Sequence, residues 1–480
     1  MSSGSQPVVG TADPRDTRMA PRDRWRLTVL MGVTFMLAVD FSVLNVALPD
    51  IGVDLRIPLN DLQWVVTAFT LPAAGLGLFF GRLGDLAGRR GVLLAAMLLL
   101  AAGSVLGAVA TEAWVLIVAR VLQGLATAAA APTALALLTT TFKEGPVRDR
   151  ALGLNGALLS AGFATGALLG GALTSSLSWR AAFWINVPVA VFVLVFAPFL
   201  FPESRPAVKT RLDFAGALSI TLSLSCFVLG VSSAAIGGFG DPGALMLFAA
   251  ALILVVLFAL IELRGSHPLV PLAVLKRKNV RWGNLGGLTT FGMMSSFTYL
   301  TTLFLQLVLG LDPVITGAVI AIIGIVAVVG ALFVPRLIGA VGQVRVLVGG
   351  LVVQGAGTVI VALAGDHSGS ILIICLGLAV ATLGHIASII AYTVTATSGL
   401  PDGEQGLATG LTSTSQQVAL ALGTPVLAAA VTVIASAEGL GSAATSGTAL
   451  SGAMLLNAAV CIAIAVLVLI GFLRTGKSQA

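Results

Sequence analysis

The sequence predicts an all-α integral membrane protein with fourteen transmembrane helices. Three observations carry this. Hydrophobic residues make up 57% of the 480, charged residues only 10%, and the mean hydropathy is +1.04, whereas soluble domains average about 25% charged residues. The apolar residues gather into fourteen stretches of the length, ~20 residues, that carries a helix across ~30 Å of hydrocarbon. The basic residues fall almost entirely in every second connection between them. Strands are excluded by the length of the runs, because backbone groups in lipid must pair inside the segment unless a closed barrel forms.

The stretches, in order, are 25–49, 62–81, 91–110, 113–140, 150–175, 181–201, 213–235, 243–263, 280–309, 314–339, 345–364, 369–398, 406–434 and 451–473. Residues 1–24 are polar, contain Pro7, Pro14 and Pro21, and lack an apolar core with a cleavage site. They read as a disordered cytoplasmic tail and not as a signal peptide. A second short tail follows at 474–480.

Basic residues set the orientation. Of the 26 Lys and Arg, only Arg56 and Arg180 fall on one side and Arg120 within a span. All others, among them Arg82, Arg89, Arg90, Lys143, Lys276 and Arg336, fall on the opposite side with both termini. Both termini are therefore expected in the cytoplasm. The +6 net charge then reports topology and gives no case for nucleic acid. Cys226, Cys375 and Cys461 sit inside apolar runs and read as buried thiols, without a disulfide framework. An alanine- and glycine-rich composition points to a high-GC bacterium, and hence to a multi-pass protein of its cytoplasmic (inner) membrane.

Between spans 2 and 3 stands Gly81-Arg82-Leu83-Gly84-Asp85-Leu86-Ala87-Gly88-Arg89-Arg90. It reads as a short cytoplasmic turn, its glycines permitting a tight reversal. An anchor made of arginines alone would not require Asp85 or the glycine spacing. A related stretch, Pro335-Arg336-Leu337-Ile338-Gly339-Ala340-Val341-Gly342, lies between spans 10 and 11 on the same side, without the aspartate. This internal repeat divides the chain into a bundle of six spans at 25–201, two inserted spans at 202–279 with their loops, and a second bundle at 280–473.

The first stretch resembles the loop signature of the major facilitator superfamily, whose fold is built from parallel six-helix halves. Fourteen spans with an inserted pair resemble its drug:proton antiporter branch. Further matches occur along the chain. Ala38 to Pro49, with Asp40 and Asn45, is similar to the branch's helix 1 signature. Arg120, Gln123, Gly124 and Pro132 resemble its helix 4 signature, and Gly162, Gly166, Gly170 and Gly171 its antiporter signature in helix 5. Trp179-Arg180, Phe183, Ile185-Asn186 and Pro188 resemble the junction of helices 5 and 6, and Leu305-Gln306 with Gly310 the end of the ninth helix. One position departs from the pattern: Ala167 stands where the family usually has proline. The resemblance implies a monomer that needs no cofactor and is driven by the proton gradient. Plain helix–helix packing also accounts for the glycines.

The buried charges make a case of their own. Asp40 is the acidic residue, and Arg120 the basic one, that fall deep within a span. Each costs at least ~2.5–3.5 kcal/mol to place there, so a function or a neutralising partner is expected. At 1.5 Å per residue, Asp40 lies about 13 Å and Arg120 about 10 Å from the outer surface. They share a level, so they are expected to pair, either as a proton-coupling site or as a static ion pair. In the second half, Asn284, Ser295, Thr298, Thr302 and Gln306 fall on one side of span 9, with Phe291 there and Tyr299 near its edge. This face reads either as helix interlocking or as the wall of a substrate cavity, to which Asn45, Gln123, His385, Tyr392 and Gln416 are further candidates.

No phosphate-binding loop and no metal-ligand spacing occurs, so no enzymatic activity and no metal are expected. The function expected is proton-coupled efflux of an amphipathic organic molecule, a drug or antibiotic, by alternating access. Its partners are that substrate, protons and the lipid bilayer. The alternatives are a proton-coupled importer of a small organic substrate and a non-transporting sensor or scaffold. The stretch Gly81, Asp85, Gly88, Arg89 and Arg90 is expected to act as a conformational latch. In it Asp85 faces the start of helix 13 near Gly406, while Arg89 and Arg90 hold Asp85 or pair with Glu144.

Overall fold

A computed structural model describes residues 20–142, 146–203, 214–264, 277–366, 369–398, 402–437 and 446–476. Fourteen helices run through these segments: α1 Pro21–Asp54, α2 Leu59–Ala87, α3 Arg89–Ala108, α4 Ala113–Thr141, α5 Pro146–Ser176, α6 Ala181–Leu200, α7 Phe214–Gly237, α8 Pro242–Arg264, α9 Lys278–Val308, α10 Pro313–Val341, α11 Gln343–Ala362, α12 Ser370–Thr397, α13 Asp402–Ala437 and α14 Gly447–Gly476. Eleven of the described helices are by themselves long and apolar enough to cross a membrane. The helices outrun the apolar stretches because hydropathy marks only the part in lipid, while helical pairing continues into water. Two are interrupted: α6 breaks at Ile185, and α9 closes in a π-turn at Phe304–Val308.

Arg22 and Arg26 donate to the carbonyls of Phe199 and Leu200, and Lys278 to that of Phe472. The start of α1 thus meets the end of α6, and the start of α9 meets the end of α14. With fourteen helices between them, the start of α1 and the end of α14 lie at one end of the bundle, the terminal end. The stretch from Gly81 to Arg90 departs from the turn expected for it. Helix α2 continues to Ala87, α3 starts at Arg89, and Gly88 alone makes the reversal at φ +105°, a conformation that L side chains rarely adopt. Gly342 repeats this at φ +88° between α10 and α11. The flanking helices match in length, 29 and 20 residues in each case. The sequence repeat is therefore a structural repeat.

At the end remote from the termini, one apolar core joins the two sets of six helices, from Val39, Val43 and Leu48 of α1 to Phe297, Leu300 and Phe304 of α9 and Ile320 of α10. At the terminal end, Leu30, Leu93, Leu138 and Val193 belong to a core of α1, α3, α4 and α6. Val346, Leu347, Tyr392 and Val468 belong to a separate one of α11, α12 and α14. Helix α7 packs on α2 and α13, and α8 lies outside it.

Candidate functional site

Asp40 is 1% exposed and Arg120 2%, and the two form the ion pair expected of them: Arg120 Nη1 stands 3.3 Å from Asp40 Oδ2. The surroundings explain how lipid-embedded charges are tolerated. Gln123 Nε2 donates to Asp40 Oδ1 at 3.1 Å, and Asn186 Nδ2 donates to the same oxygen. Ser104 Oγ accepts from both amides, at 3.0 and 3.1 Å. Arg120 donates its Nε to the Val65 carbonyl at 3.0 Å and its Nη1 to Gln123 Oε1 at 2.7 Å, and its guanidinium lies 4.3 Å from the Phe69 ring centroid. Donors from α4 and α6 therefore meet the carboxylate of α1 directly, while α2 and α3 hold those donors in place. A buried ion pair is sustained only when hydrogen bonds satisfy its remaining atoms.

Local sequence puts these groups in place. A Cβ on Gly103 would stand 3.1 Å from the Ala119 carbonyl and 3.2 Å from Gln123 Cγ, so its absence draws α3 onto α4 and brings Ser104 to Gln123. Gly124 likewise receives the Phe69 carbonyl of α2. Asn186 follows the break at Ile185. The sequence offers few cues to Ser104 and Asn186, since single polar residues in apolar helices carry no periodic signal, and none to Val65, which acts through its backbone carbonyl. Asn186 stands in the helix 5–6 resemblance without a role.

The glycines of α5 divide between two partners. Cβ atoms on Gly162 and Gly166 would stand 2.8 and 2.7 Å from the carbonyls of Phe35 and Val39, and Gly170 meets the Val43 carbonyl. These three form a groove that seats the stretch of α1 bearing Asp40, where Ser42 Oγ donates to the Phe163 carbonyl at 2.7 Å. Gly171 turns the other way, onto Pro313 and Val314 of α10. Ala167, where the family pattern has proline, is fully buried and sets its carbonyl against Gly317 of α10. Nearby, Ser175 Oγ donates to Asp312 Oδ1 at 2.8 Å, and that oxygen also caps α10 at Val314 N.

The polar face of α9 separates into distinct roles. Gln306 Nε2 donates to the Val46 carbonyl of α1 at 2.8 Å, within the closed remote end. Thr298 and Thr302 bond to carbonyls of α9 itself, and Tyr299 is buried with them. Asn284 likewise returns to the Val280 carbonyl, and Ser295 meets Thr424 of α13 at 3.1 Å. Asn45 donates to the Phe41 carbonyl of its own helix, and Gln416 is half-buried. Phe291 lies against two rings of α12, 5.4 Å from His385 and 6.0 Å from Tyr392, both nearly perpendicular.

In the stretch after α2, Arg90 pairs with Glu203 at 3.1 Å, beyond α6, and also donates to the Pro198 and Phe201 carbonyls. A Cβ on Gly88 would collide with that same Glu203. Arg89 donates to the Ala136 carbonyl of α4. Glu203 is thus a partner to which no motif in the sequence points. Gly81 and Gly84 face Pro132 and Thr133 of α4. The side chains of Arg82, Asp85, Glu144 and Gly406's neighbours lie outside the described residues, and with them the expected latch contact.

Residues 30–424 match the family model of the Major Facilitator Superfamily. The chain is 34% identical to the puromycin resistance protein pur8 of Streptomyces alboniger, over 85% of this chain and 81% of that one. It is 36% identical to the cephamycin export protein CmcT of Amycolatopsis lactamdurans, over 82% of each, and 31% identical to a tetracenomycin C resistance and export protein of Streptomyces glaucescens, over 84% and 74%. Among solved structures it superposes on the POT family transporter PepTSo with a TM-score of 0.70 at 16% identity, covering 96% of this chain and all of that one. A family model across most of the length and relatives above 30% identity along most of both chains place this chain in the Major Facilitator Superfamily.

Proposed function

We propose that the protein exports an amphipathic organic molecule, a drug or antibiotic, from a bacterial cytoplasm in exchange for protons. It works by alternating access, as a monomer, with its termini in the cytoplasm and without cofactor or chemical conversion of the substrate. The relatives named for puromycin resistance and for cephamycin and tetracenomycin C export support the direction and the substrate class. The observation that carries proton coupling is the donor cage around Asp40.

Arg120, Gln123 and Asn186 all donate to the Asp40 carboxylate. A proton arriving on Asp40 therefore meets donors and must break a contact. Asn186 Oδ1 is buried without a partner, so rotating that amide presents an acceptor to the protonated carboxyl. Proton uptake then loosens Arg120 and re-pairs Asn186, and α1, α4 and α6 shift relative to one another. Helix α5 holds α1 in its glycine groove and α10 on its opposite face. It is the rigid link from proton site to remote closure. At the terminal end, Asp85 latches onto the start of α13 when that end shuts.

The test uses everted vesicles from a pump-deficient host, an imposed pH gradient and a panel that includes puromycin. The reading predicts gradient-driven accumulation by the wild type and none by Asp40→Asn inserted at equal level. Accumulation that is independent of the gradient, or opposite in direction, would overturn it.

A further inference from the structure

The second half buries a polar cluster of its own, on helices that correspond by the repeat to those of the Asp40 cage. Thr290 of α9 bonds to both Gln354 of α11 and His385 of α12, and all three are at least nine-tenths buried. No ionic residue takes part in these bonds. Close packing at glycine makes the cluster possible: Gly384 receives the backbone of Gln354 directly, and Gly350 meets Ser388.

The hydrogen bonds fix every proton. Gln354 Nε2 donates to the Thr290 carbonyl at 3.0 Å, because a backbone carbonyl can only accept. That choice turns Gln354 Oε1 toward Thr290 Oγ1, 2.6 Å away, and the amide oxygen can only accept. The threonine hydroxyl must therefore donate to it. Its oxygen is left to accept from His385 Nδ1 at 2.8 Å, so Nδ1 carries the ring proton. An imidazolium without a counter-ion at membrane mid-depth is costly. The ring is then neutral, and Nε2 is a bare acceptor with no partner among the described residues.

The position of Nε2 is set by the helix. Leu372, Leu376, Leu383 and Val394 form the exposed, lipid-facing stripe of α12. At 3.6 residues per turn, His385 lies about 200° from Leu383, on the opposite, interior side. There it stands edge to face with half-buried Phe291, itself perpendicular to Tyr392. Gly287, one turn before Phe291, lets the Tyr392 ring sit directly on α9.

We infer that His385, with its tautomer set by Gln354 and Thr290, is the acceptor for a hydrogen-bond donor on the transported molecule, and that Phe291 and Tyr392 hold the aromatic body bearing that donor. The substrate class is an aromatic compound with an N–H or O–H group beside the ring. This rests on the export reading for its biological meaning, while the site itself is tested by binding. Thr290 and Gln354 are positioning residues. Lipid offers no N–H or O–H donor at this depth, so a matched donor gains what an alkylated analogue cannot.

Two measurements decide it. Selective 15N-histidine labelling resolves the chain's three histidines, with His385→Phe supplying the assignment. The His385 ring is expected with Nδ1 protonated and Nε2 unprotonated, and Thr290→Val should release that preference while Thr290→Ser keeps it. A ring protonated at Nε2 in the wild type would overturn the inference. The second measurement is dye binding to purified protein by fluorescence polarisation. It uses thionine, whose ring amines carry N–H donors, and methylene blue, the same ring system with those amines fully methylated. His385→Phe and Thr290→Val should weaken thionine about tenfold and change methylene blue less than twofold. Equal loss for both dyes, no loss for thionine, or no binding of thionine by the wild type would each overturn it. Intact dye discrimination without gradient-driven export would instead overturn the export reading and leave the site standing.

Discussion

Replacing Asp40 by its isosteric amide sets donor against donor. Asparagine turns an acceptor into a donor facing those of Arg120, Gln123 or Asn186 and strands Arg120 without its counter-charge. Asp40→Asn should abolish gradient-driven efflux in vesicles while the protein still inserts. Arg120→Lys keeps the charge but not the geometry. A lysine's three donors radiate from a single nitrogen and cannot span the Val65 carbonyl met by Nε and the Asp40 and Gln123 oxygens met by Nη1, nor can the ammonium lie flat over Phe69. We expect at least a tenfold loss of transport rate, measured at matched protein level, where a static ion pair would survive. Asn186→Leu should leave the Asp40–Arg120 contact in place and slow coupled transport far more than substrate exchange without a gradient. Equal slowing of both would count against the amide rotation. The ion pair is legible in the sequence because two charges stand alone at matching depth in apolar helices. Ser104 and Asn186 are not legible as its partners, since a hydroxyl and an amide are common in such helices and only the α3–α4 and α1–α6 crossings show where they point.

Helix α5 presents glycine on one side to α1 and a small-residue face to α10. Gly166→Ala would put a methyl group 2.7 Å from the Val39 carbonyl, one residue from Asp40. Overpacking of this kind costs about 1–3 kcal/mol, and here it also displaces the stretch of α1 that bears Asp40. Gly77→Ala is the matched control, because a Cβ there meets nothing within 4 Å. Thermal unfolding in detergent and vesicle transport should both fall for Gly166→Ala and stay near wild type for Gly77→Ala. The helices themselves are readable to within a few residues wherever lipid dictates the composition. The stretch between α2 and α3 reads as a turn because its charges end the hydropathy signal before they end the helix. Only the positive φ of Gly88 locates the true reversal. Likewise Arg90 finds Glu203, more than a hundred residues away, a pairing that local sequence does not encode.

For the whole molecule, the present state is shut at the end remote from the termini by Gln306 on Val46 and by Ser175 on Asp312. Alternating access requires these contacts to part. With the three native cysteines replaced, a Ser175→Cys, Asp312→Cys pair should cross-link on oxidation and stop transport, and reductant should restore it. Continued turnover of the cross-linked protein would show that this end does not open. For the opposite end, Asp85→Asn should preserve topology, impair transport and speed labelling of a cysteine placed at Gly406. Unchanged labelling with unchanged transport would reduce the stretch to a topological anchor. The two-bundle plan is visible from the Arg-Leu repeat and its glycines, whereas the identity of the closed end emerges only from which apolar core is shared.

The inserted pair of helices has a further consequence. Thr221 of α7 fills the notch at Gly75 of α2, and Leu224 and Val228 of α7 complete an apolar cluster with Leu71 and Ala74 of α2 and Ala421 of α13. Helix α7 therefore lies along the joint where α2 meets α13, and α8 spreads outside it with side chains such as Met246, Leu252 and Ile253 turned outward. The repeat-related joint between α5 and α10 receives no such covering from α7 or α8 among the described residues. A solute approaching from the bilayer would thus meet a joint screened by two helices on one flank and a joint bare of them on the other.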